Sequence, residues 1–145
     1  MDLNEKIDID ILILDGDAFF NDLVARKLND LKNRPDIKQR FSLKVEQFVR
    51  PREFLNRVTS KKNSSKPSMA FVEFFPGDGL SGHNIIKILR RQNEFINVIL
   101  MSQSETVFGK STDQQNPANT FTRILKHEYS PDICCILVEN YINNI

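Results

Sequence analysis

Short apolar runs alternate with amphipathic stretches along this chain, and the alternation predicts strands and helices in turn. The run Ile9–Leu14 is almost continuous in branched apolar residues and stops at a polar loop, as a buried strand does. Apolar residues then recur at helical spacing from Ala18 to about Lys32, where Asn-Arg-Pro ends the helix. Later strands are predicted at Phe41–Phe48, Met69–Phe75, Phe95–Met101 and Phe121–Leu125, and later helices after Pro51, around Ile85–Leu89 and from Ser130.

Two further predictions concern segments near the carboxyl end of the chain. The stretch Gln103–Asn119 has almost no periodic apolar signal, which predicts a long loop or a poor helix. In the last helix, Ser130 is expected to be a hydroxyl cap that precedes Pro131 at the first helical position. The apolar residues predicted to line this helix are Ile133, Ile136, Leu137, Tyr141 and Ile142.

Five strands that alternate with helices predict a mostly parallel sheet, because parallel neighbours need crossover connections and these are right-handed. The predicted fold class is therefore α/β: a doubly wound five-stranded parallel sheet with helices on both faces, flavodoxin-like, with the fourth helix short or replaced by a loop. The chain has 145 residues, of which 40% are hydrophobic, an ordinary size and content for one domain with a core. We expect residues 1–145 to form a single domain.

Charge and cysteine content narrow the functional classes. Lysine and arginine number 20 and aspartate and glutamate 19, so the chain has no strong positive field to attract nucleic acid. We expect no membrane partner and a cytoplasmic location, because the amino terminus lacks signal-peptide features and no apolar run is long enough to span a bilayer. Cys134 and Cys135 are neighbours in a predicted helix and cannot easily bridge each other, so they are interpreted as reduced packing residues.

Candidate chemistry lies where the predicted strands end, because doubly wound sheets place their functional crevice at the carboxyl ends of the strands. Each residue there also has an ordinary explanation. Asp17 is suited to cap the first helix, and Glu73 could form a permanent salt bridge with Lys126. The full set of candidate positions is Asp15, Gly16, Asp17, Glu73, Ser102 and Lys126.

Together these positions resemble the receiver domain of bacterial response regulators, the CheY-like type, over nearly the whole chain. In that family paired acids after the first strand bind Mg²⁺, an aspartate ending the third strand accepts phosphate, and a hydroxyl and a lysine follow the fourth and fifth strands. By this resemblance Asp15 matches the first acid, Ser102 the hydroxyl and Lys126 the lysine. A carboxylate nucleophile needs such a cation and such donors to hold the phosphate oxygens.

The sequence departs from the family at the chemical centre. Gly16 stands where the second acid belongs, which removes a direct metal ligand, and Asp17 could compensate only in a rearranged loop. Glu73 stands at the acceptor position, and its extra methylene displaces the carboxylate from the place that in-line attack requires. His127 replaces the proline that usually follows the lysine. The resemblance therefore implies a degenerate pseudo-receiver that has no cofactor, with Asp15 and Asp17 as weak metal candidates.

The resemblance implies a non-catalytic signalling domain of the two-component type, not an enzyme, that acts by phosphorylation-independent protein–protein interaction. In this interpretation Glu73 could also imitate a phosphorylated aspartate. The alternative is a working phosphoacceptor receiver in a phosphorelay, with unusual acidic geometry and Mg²⁺ as cofactor. A small α/β enzyme is a third hypothesis. Asp78, in the Pro76–Gly82 loop, is interpreted as a turn residue, with a displaced acceptor as the other interpretation.

The resemblance also indicates where partners bind. In the family, the fourth helix region, the fifth strand and the fifth helix form the usual dimer or partner face, here Thr106–Tyr141, so other proteins or a second copy are expected there. Phe108 has two interpretations, an exposed anchor for a partner or a core residue that pins the loop. The candidate contact residues on this face are Val107, Phe108, Arg123 and Tyr141.

Overall fold

The computed structural model describes residues 5–60, 66–104 and 122–145. Five strands form one sheet in the order β2-β1-β3-β4-β5, and every neighbouring pair is parallel. The strands are β1 (Ile7–Leu14), β2 (Phe41–Phe48), β3 (Ser68–Glu73), β4 (Asn97–Ser102) and β5 (Thr122–Leu125). The helices in the described ranges are α1 (Ala18–Asn33), α2 (Pro35–Lys38), α3 (Pro51–Thr59), α4 (Gly82–Gln92) and α5 (Ser130–Asn143).

Side chains alternate across the strands and divide the core into two layers. In β1, Ile9, Ile11 and Ile13 pack with α1, α2 and α5, whereas Leu12 and Leu14 pack with α3 and α4. The central strands are buried on both faces, as the nearly continuous apolar runs require. The doubly wound parallel sheet predicted from the alternation is therefore confirmed.

Several predicted boundaries move by a few residues. The strand predicted to end at Phe75 ends at Glu73, and Phe75 is 65% exposed in the loop that follows. Phe95 was predicted to begin the fourth strand, but it lies in an exposed turn and β4 begins at Asn97. The proline that ends α1 also begins the short helix α2. Apolar character alone therefore did not locate the strand ends.

The last helix differs from its prediction in its cap and its buried face. Tyr129 occupies the capping position, and Ser130 is the first helical residue. The Ser130 hydroxyl instead donates to the Leu125 carbonyl at 2.7 Å and accepts the His127 N–H at 2.8 Å, so it fixes the loop after β5. The buried residues of α5 include Cys134, Val138 and Ile142, and the predicted core residue Ile136 is 56% exposed.

The helix α5 packs Cys134, Val138 and Ile142 into the core layer that it shares with α1, and two partly exposed ion pairs join the two helices. Lys27 pairs with Asp132 at 3.0 Å, and Arg34 pairs with Glu139 at 2.6 Å.

Both cysteines are free thiols, and burial raises the pKa of Cys134 to about 12. Among the helices in the described ranges, none is long and apolar enough to cross a membrane.

Candidate functional site

Four polar residues meet at the carboxyl edge of the sheet because the strand ends bring them there. Asp15 follows β1, Glu73 ends β3, Ser102 ends β4 and Lys126 follows β5. Backbone hydrogen bonds extend the sheet past the strand ends, from Asp15 N to the Phe48 carbonyl at 3.1 Å and from Lys126 N to the Ser102 carbonyl at 2.8 Å. The site is therefore positioned by the sheet itself.

The centre of the site is an ion pair between Lys126 and Asp15. Lys126 Nζ lies 2.8 Å from Asp15 Oδ2 and 3.1 Å from Oδ1, and the two side chains are 4% and 0% exposed. The ammonium also lies 4.6 Å from the centre of the Phe20 ring, which attracts the cation to the ring face. Few charges in a domain of this size are buried so completely, and each depends on the other to offset the cost of desolvation.

Glu73 is the second carboxylate in contact with this lysine, but the more distant one. Its Oε1 lies 3.8 Å from Lys126 Nζ, so the predicted pair exists, and Asp15 is the closer partner. The other oxygen, Oε2, accepts the backbone N–H of Gly16 at 3.0 Å, which turns the carboxylate toward the loop after β1. Burial raises the pKa of Glu73, the Gly16 N–H lowers it, and the neighbouring Asp15 charge raises it further.

Gly16 matters through its backbone rather than through any side chain. A Cβ added at this position would lie 3.6 Å from Glu73 Oε2 and 3.8 Å from the Val49 carbonyl, which are ordinary contact distances. A Cβ would therefore fit at this position, and the glycine offers Glu73 only its main-chain N–H, with no side-chain oxygen beside it.

Asp17 acts as the helix cap that its sequence context favours. Its Oδ1 accepts the N–H groups of Phe19 and Phe20, at 3.1 and 3.2 Å, and its own N–H donates to Asp15 Oδ1 at 2.9 Å. The carboxylate is directed at the amino terminus of α1, so Asp17 does not take the place of the missing second acid.

Ser102 and Asp78 take part in local backbone structure: Ser102 bonds to the backbone of Ser104, and Asp78 lies in a turn. The Ser102 hydroxyl donates to the Ser104 carbonyl at 3.2 Å and accepts the Ser104 N–H at 3.0 Å. Asp78 is exposed, with φ of 57° between Gly77 and Gly79, which also have positive φ. This geometry agrees with a turn residue and gives no support to a displaced acceptor.

Two residues that support the site were missed by the sequence analysis. Asn21 is 1% exposed, and its Nδ2 donates to the carbonyls of Asp15 and Phe48 at 3.1 and 2.9 Å. It ties together the loops after β1 and β2. The signal was available, because Asn21 is a polar residue beside the buried stripe of α1. Phe20 lies in the helical apolar pattern of α1, and its contact with Lys126, 4.6 Å from the ring centre, has no signal in the sequence.

The carboxylates of this site do not form the donor set that a magnesium ion needs. Mg²⁺ requires octahedral oxygen ligands at close range. Here Asp15 Oδ1 and Oδ2 already face an ammonium, Glu73 Oε2 faces an N–H, and Asp17 caps a helix. Within the described residues, no group of three or more histidine, cysteine or acidic side chains could hold a metal ion.

The predicted partner face is described only in part. Val107 and Phe108 lie outside the described residues, so both interpretations of Phe108 stay predictions. Ile124 packs on the layer of α5, and so Arg123, the preceding residue, points to the other layer. Tyr141 is half-buried in the α1 and α5 layer, and burial raises its pKa.

The comparisons with known proteins agree with this architecture. No protein-family model and no curated protein sequence matches the chain. A response regulator from Colwellia psychrerythraea superposes with a TM-score of 0.61 at 15% identity, covering 96% of this chain and 99% of that one. A response regulator receiver protein from Sinorhizobium medicae WSM419 superposes with a TM-score of 0.60 at 11% identity, covering 96% of each chain. The chain therefore has the fold of a response regulator receiver domain.

Proposed function

We propose that this chain is a cytoplasmic receiver-type signalling domain that works by protein–protein interaction, without phosphoryl transfer and without enzymatic activity. The observation that carries the proposal is the Glu73 carboxylate at the acceptor position. One of its oxygens accepts the Gly16 N–H at 3.0 Å, and the other faces Lys126 at 3.8 Å. The receiver fold of the two solved structures supports the signalling class.

The chemistry of phosphoryl transfer explains why this arrangement is unfavourable. A nucleophilic carboxylate has to approach phosphorus in line, and a misplacement of about 1 Å can reduce the rate by about 100-fold. It also needs a divalent cation to neutralise the incoming phosphate. Glu73 is one methylene longer than aspartate, and Gly16 has no side chain to supply the ligand oxygen that an acid would supply.

Treatment with a small-molecule phosphodonor and Mg²⁺ should leave the protein unmodified. The physical reason is that Glu73 is held by Gly16 and Lys126 and no second acid follows β1. Intact-mass measurement over the time in which a conventional receiver is fully labelled decides the question. A stoichiometric, base-labile phosphate adduct would favour the working phosphoacceptor instead.

A variant that restores both acids is the matched control for this experiment. The Cβ that Gly16→Asp adds would make only ordinary contacts, and Glu73→Asp shortens the acceptor to the family length. If the double variant is labelled and the wild type is not, these two positions account for the difference. Labelling of both proteins to the same extent would show that neither position blocks the reaction.

We further propose that the partner face includes the outer surface of α5. One side of α5 faces the core through Cys134 and Val138, and a second faces α1 through Asp132 and Glu139. Ile136 lies on the exposed surface next to Asp132 and Glu139, at helical spacings of four and three residues, and Tyr129 precedes it by two helical turns. Ile136 is 56% exposed and Tyr129 is 63% exposed. Exposed aromatic and aliphatic residues of this kind anchor protein contacts.

Self-association tests this face with a second copy as the partner. Ile136→Glu should shift the protein toward the monomer in sedimentation velocity, because it places a charge in an apolar contact, while the melting temperature should stay within experimental error. Phe95→Glu is the matched control, since Phe95 is 74% exposed in the turn before β4. Loss of association only in Phe95→Glu would contradict the proposed face, and a monomeric wild type would exclude the second copy as its partner.

A further inference from the structure

A groove lies between the last turns of α5 and the amino ends of β4 and β5, at the opposite edge of the sheet from Asp15 and Glu73. Its volume is about 360 Å³, which falls within the range of small-molecule binding sites. We call it the α5 groove. The residues that line it include Asn97, Ile99, Thr122, Leu137, Asn140 and Tyr141.

The strands form one wall of the α5 groove through two pairs of neighbouring residues. Asn97 begins β4 and pairs with Met69 of β3, whereas Thr122 begins β5 and pairs with Ile99 of β4. All four side chains lie on the same face of the sheet, because alternate residues of a strand share a face. Asn97 and Thr122 are short side chains, so they leave space at the ends of β4 and β5 that larger residues would fill.

The helix α5 forms the other wall. Leu137, Asn140 and Tyr141 follow the spacing of three and four residues that places side chains on one face of a helix. The neighbouring face packs Cys134 and Val138 into the core layer shared with α1. The groove face is therefore held in position by the core packing of the same helix.

The chemistry of the lining selects against charge. None of the described residues that line the α5 groove has a charged side chain, although 27% of the residues in the chain are charged. A charged ligand would lose hydration there without gaining a partner of opposite charge. Ile99 and Leu137 supply apolar surface, and the carboxamide of Asn140 and the hydroxyl of Thr122 can donate and accept hydrogen bonds.

We infer that the α5 groove is a binding site for a small uncharged molecule that has an apolar body and one hydrogen-bonding end. A water molecule occupies about 30 Å³ of the liquid, so the groove has room for about a dozen heavy atoms. The inference goes beyond the proposed function, which names a mode of output and no input. A ligand held by α5 would give the domain an input that requires no phosphoryl group.

Titration with 2-naphthol tests the site, because this compound is an uncharged aromatic alcohol of the right size. It should bind with a Kd of about 1 mM and shift the backbone amide signal of Ile99 and the side-chain amide signals of Asn140. Intermolecular nuclear Overhauser effects should join its ring protons to the methyl groups of Leu137 and Thr122. The carboxylate analogue 2-naphthoate is the matched ligand control and should bind at least about tenfold more weakly.

A pair of variants on α5 tests the location independently. Asn140→Trp places a large side chain across the α5 groove and should weaken 2-naphthol binding at least about fivefold. Asn143→Trp is the matched control, since it makes the same change on the same helix at a residue that does not line the groove. Both asparagines are exposed, so both variants should melt with the wild type.

Three results would overturn the inference. Unshifted Ile99 and Asn140 signals in water saturated with 2-naphthol would mean that the groove does not bind this class of ligand. Equal affinity for 2-naphthoate would mean that the lining does not select against charge. Unchanged affinity in Asn140→Trp would place the bound compound elsewhere on the protein.

Discussion

Replacing Lys126 with alanine should lower the free energy of unfolding by about 3 kcal/mol, because removing one partner of a buried ion pair leaves the other charge uncompensated. Asp15 is fully buried, and the lysine is its closest cation at 2.8 Å. The variant also brings two carboxylates together with no positive charge between them. Chemical denaturation at neutral pH, followed by circular dichroism, measures the loss. Coincident denaturation curves for the variant and the wild type would contradict it.

The loss should divide unequally between the two carboxylates. A double-mutant cycle of Lys126→Ala with Asp15→Asn should give a larger coupling energy than the cycle with Glu73→Gln. Glu73 is 1.0 Å more distant from the ammonium than Asp15, by 3.8 against 2.8 Å, and its side chain is 25% exposed. Burial also raises the pKa of Glu73, so Glu73→Gln alone should cost less than Lys126→Ala. A larger coupling to Glu73 would restore the pairing expected from the sequence.

The layout of the fold could be predicted from the sequence because each strand is an apolar run that ends at a polar loop. β2 has the predicted bounds, since its alternating pattern stops abruptly at Phe48. β3 ends two residues early, because the apolar run continues through Phe74 and Phe75 after the backbone has left the sheet. Phe74 N still bonds to the Met101 carbonyl at 2.7 Å, whereas Phe75 is exposed. An apolar run therefore marks a strand better than it marks the end of one.

The rotation of α5 could not be predicted from its own sequence. The helix has apolar residues on more than one side, so its periodicity does not select a single buried face. In the structure α5 buries Cys134, Val138 and Ile142 in the core layer that α1 shares. The partly exposed pairs Lys27–Asp132 and Arg34–Glu139, each about a hundred residues apart in sequence, add little to that choice. Ile136 is exposed as a result, and this exposure is what supports a contact surface on α5.

The sequence predicted which residues form the site more accurately than which carboxylate lies closest to Lys126. Asp15, Glu73 and Lys126 meet because the carboxyl ends of parallel strands share one edge of the sheet. The order of contact depends on the Gly16 N–H, which turns Glu73 toward the β1 loop. A backbone donor has no side-chain signature in the sequence. Ser102 is a similar case. Its position at the carboxyl edge of the sheet was predicted, but the bonds of its hydroxyl to the Ser104 backbone could not be predicted from side-chain types.

Gly82→Ala should cost about 2 kcal/mol, because an added methyl group would overpack the core beneath α4. Gly82 is a buried residue at the start of α4. A Cβ there would overlap the Leu100 Cδ1 and lie 3.2 Å from the Phe74 Cα, which belongs to the backbone and cannot rotate away. Leu100 is itself fully buried, so its side chain has little room to move. The small gain in helix propensity from alanine, below about 1 kcal/mol, offsets only part of this cost.

Gly82→Ala should also change the position of Glu73. The Gly82 N–H donates to the Phe74 carbonyl at 2.6 Å, and Phe74 follows Glu73 directly in the chain. Displacement of α4 would shift the end of β3 and lengthen the bond from the Gly16 N–H to Glu73, which the Gly16 amide chemical shift reports. Combining Gly82→Ala with Leu100→Ala is the control: removing the overlapped side chain should make the double loss smaller than the sum of the single losses. Strictly additive losses would mean that steric overlap with Leu100 is not the cause, and wild-type stability of Gly82→Ala would mean that the close packing of α4 on β3 is not required.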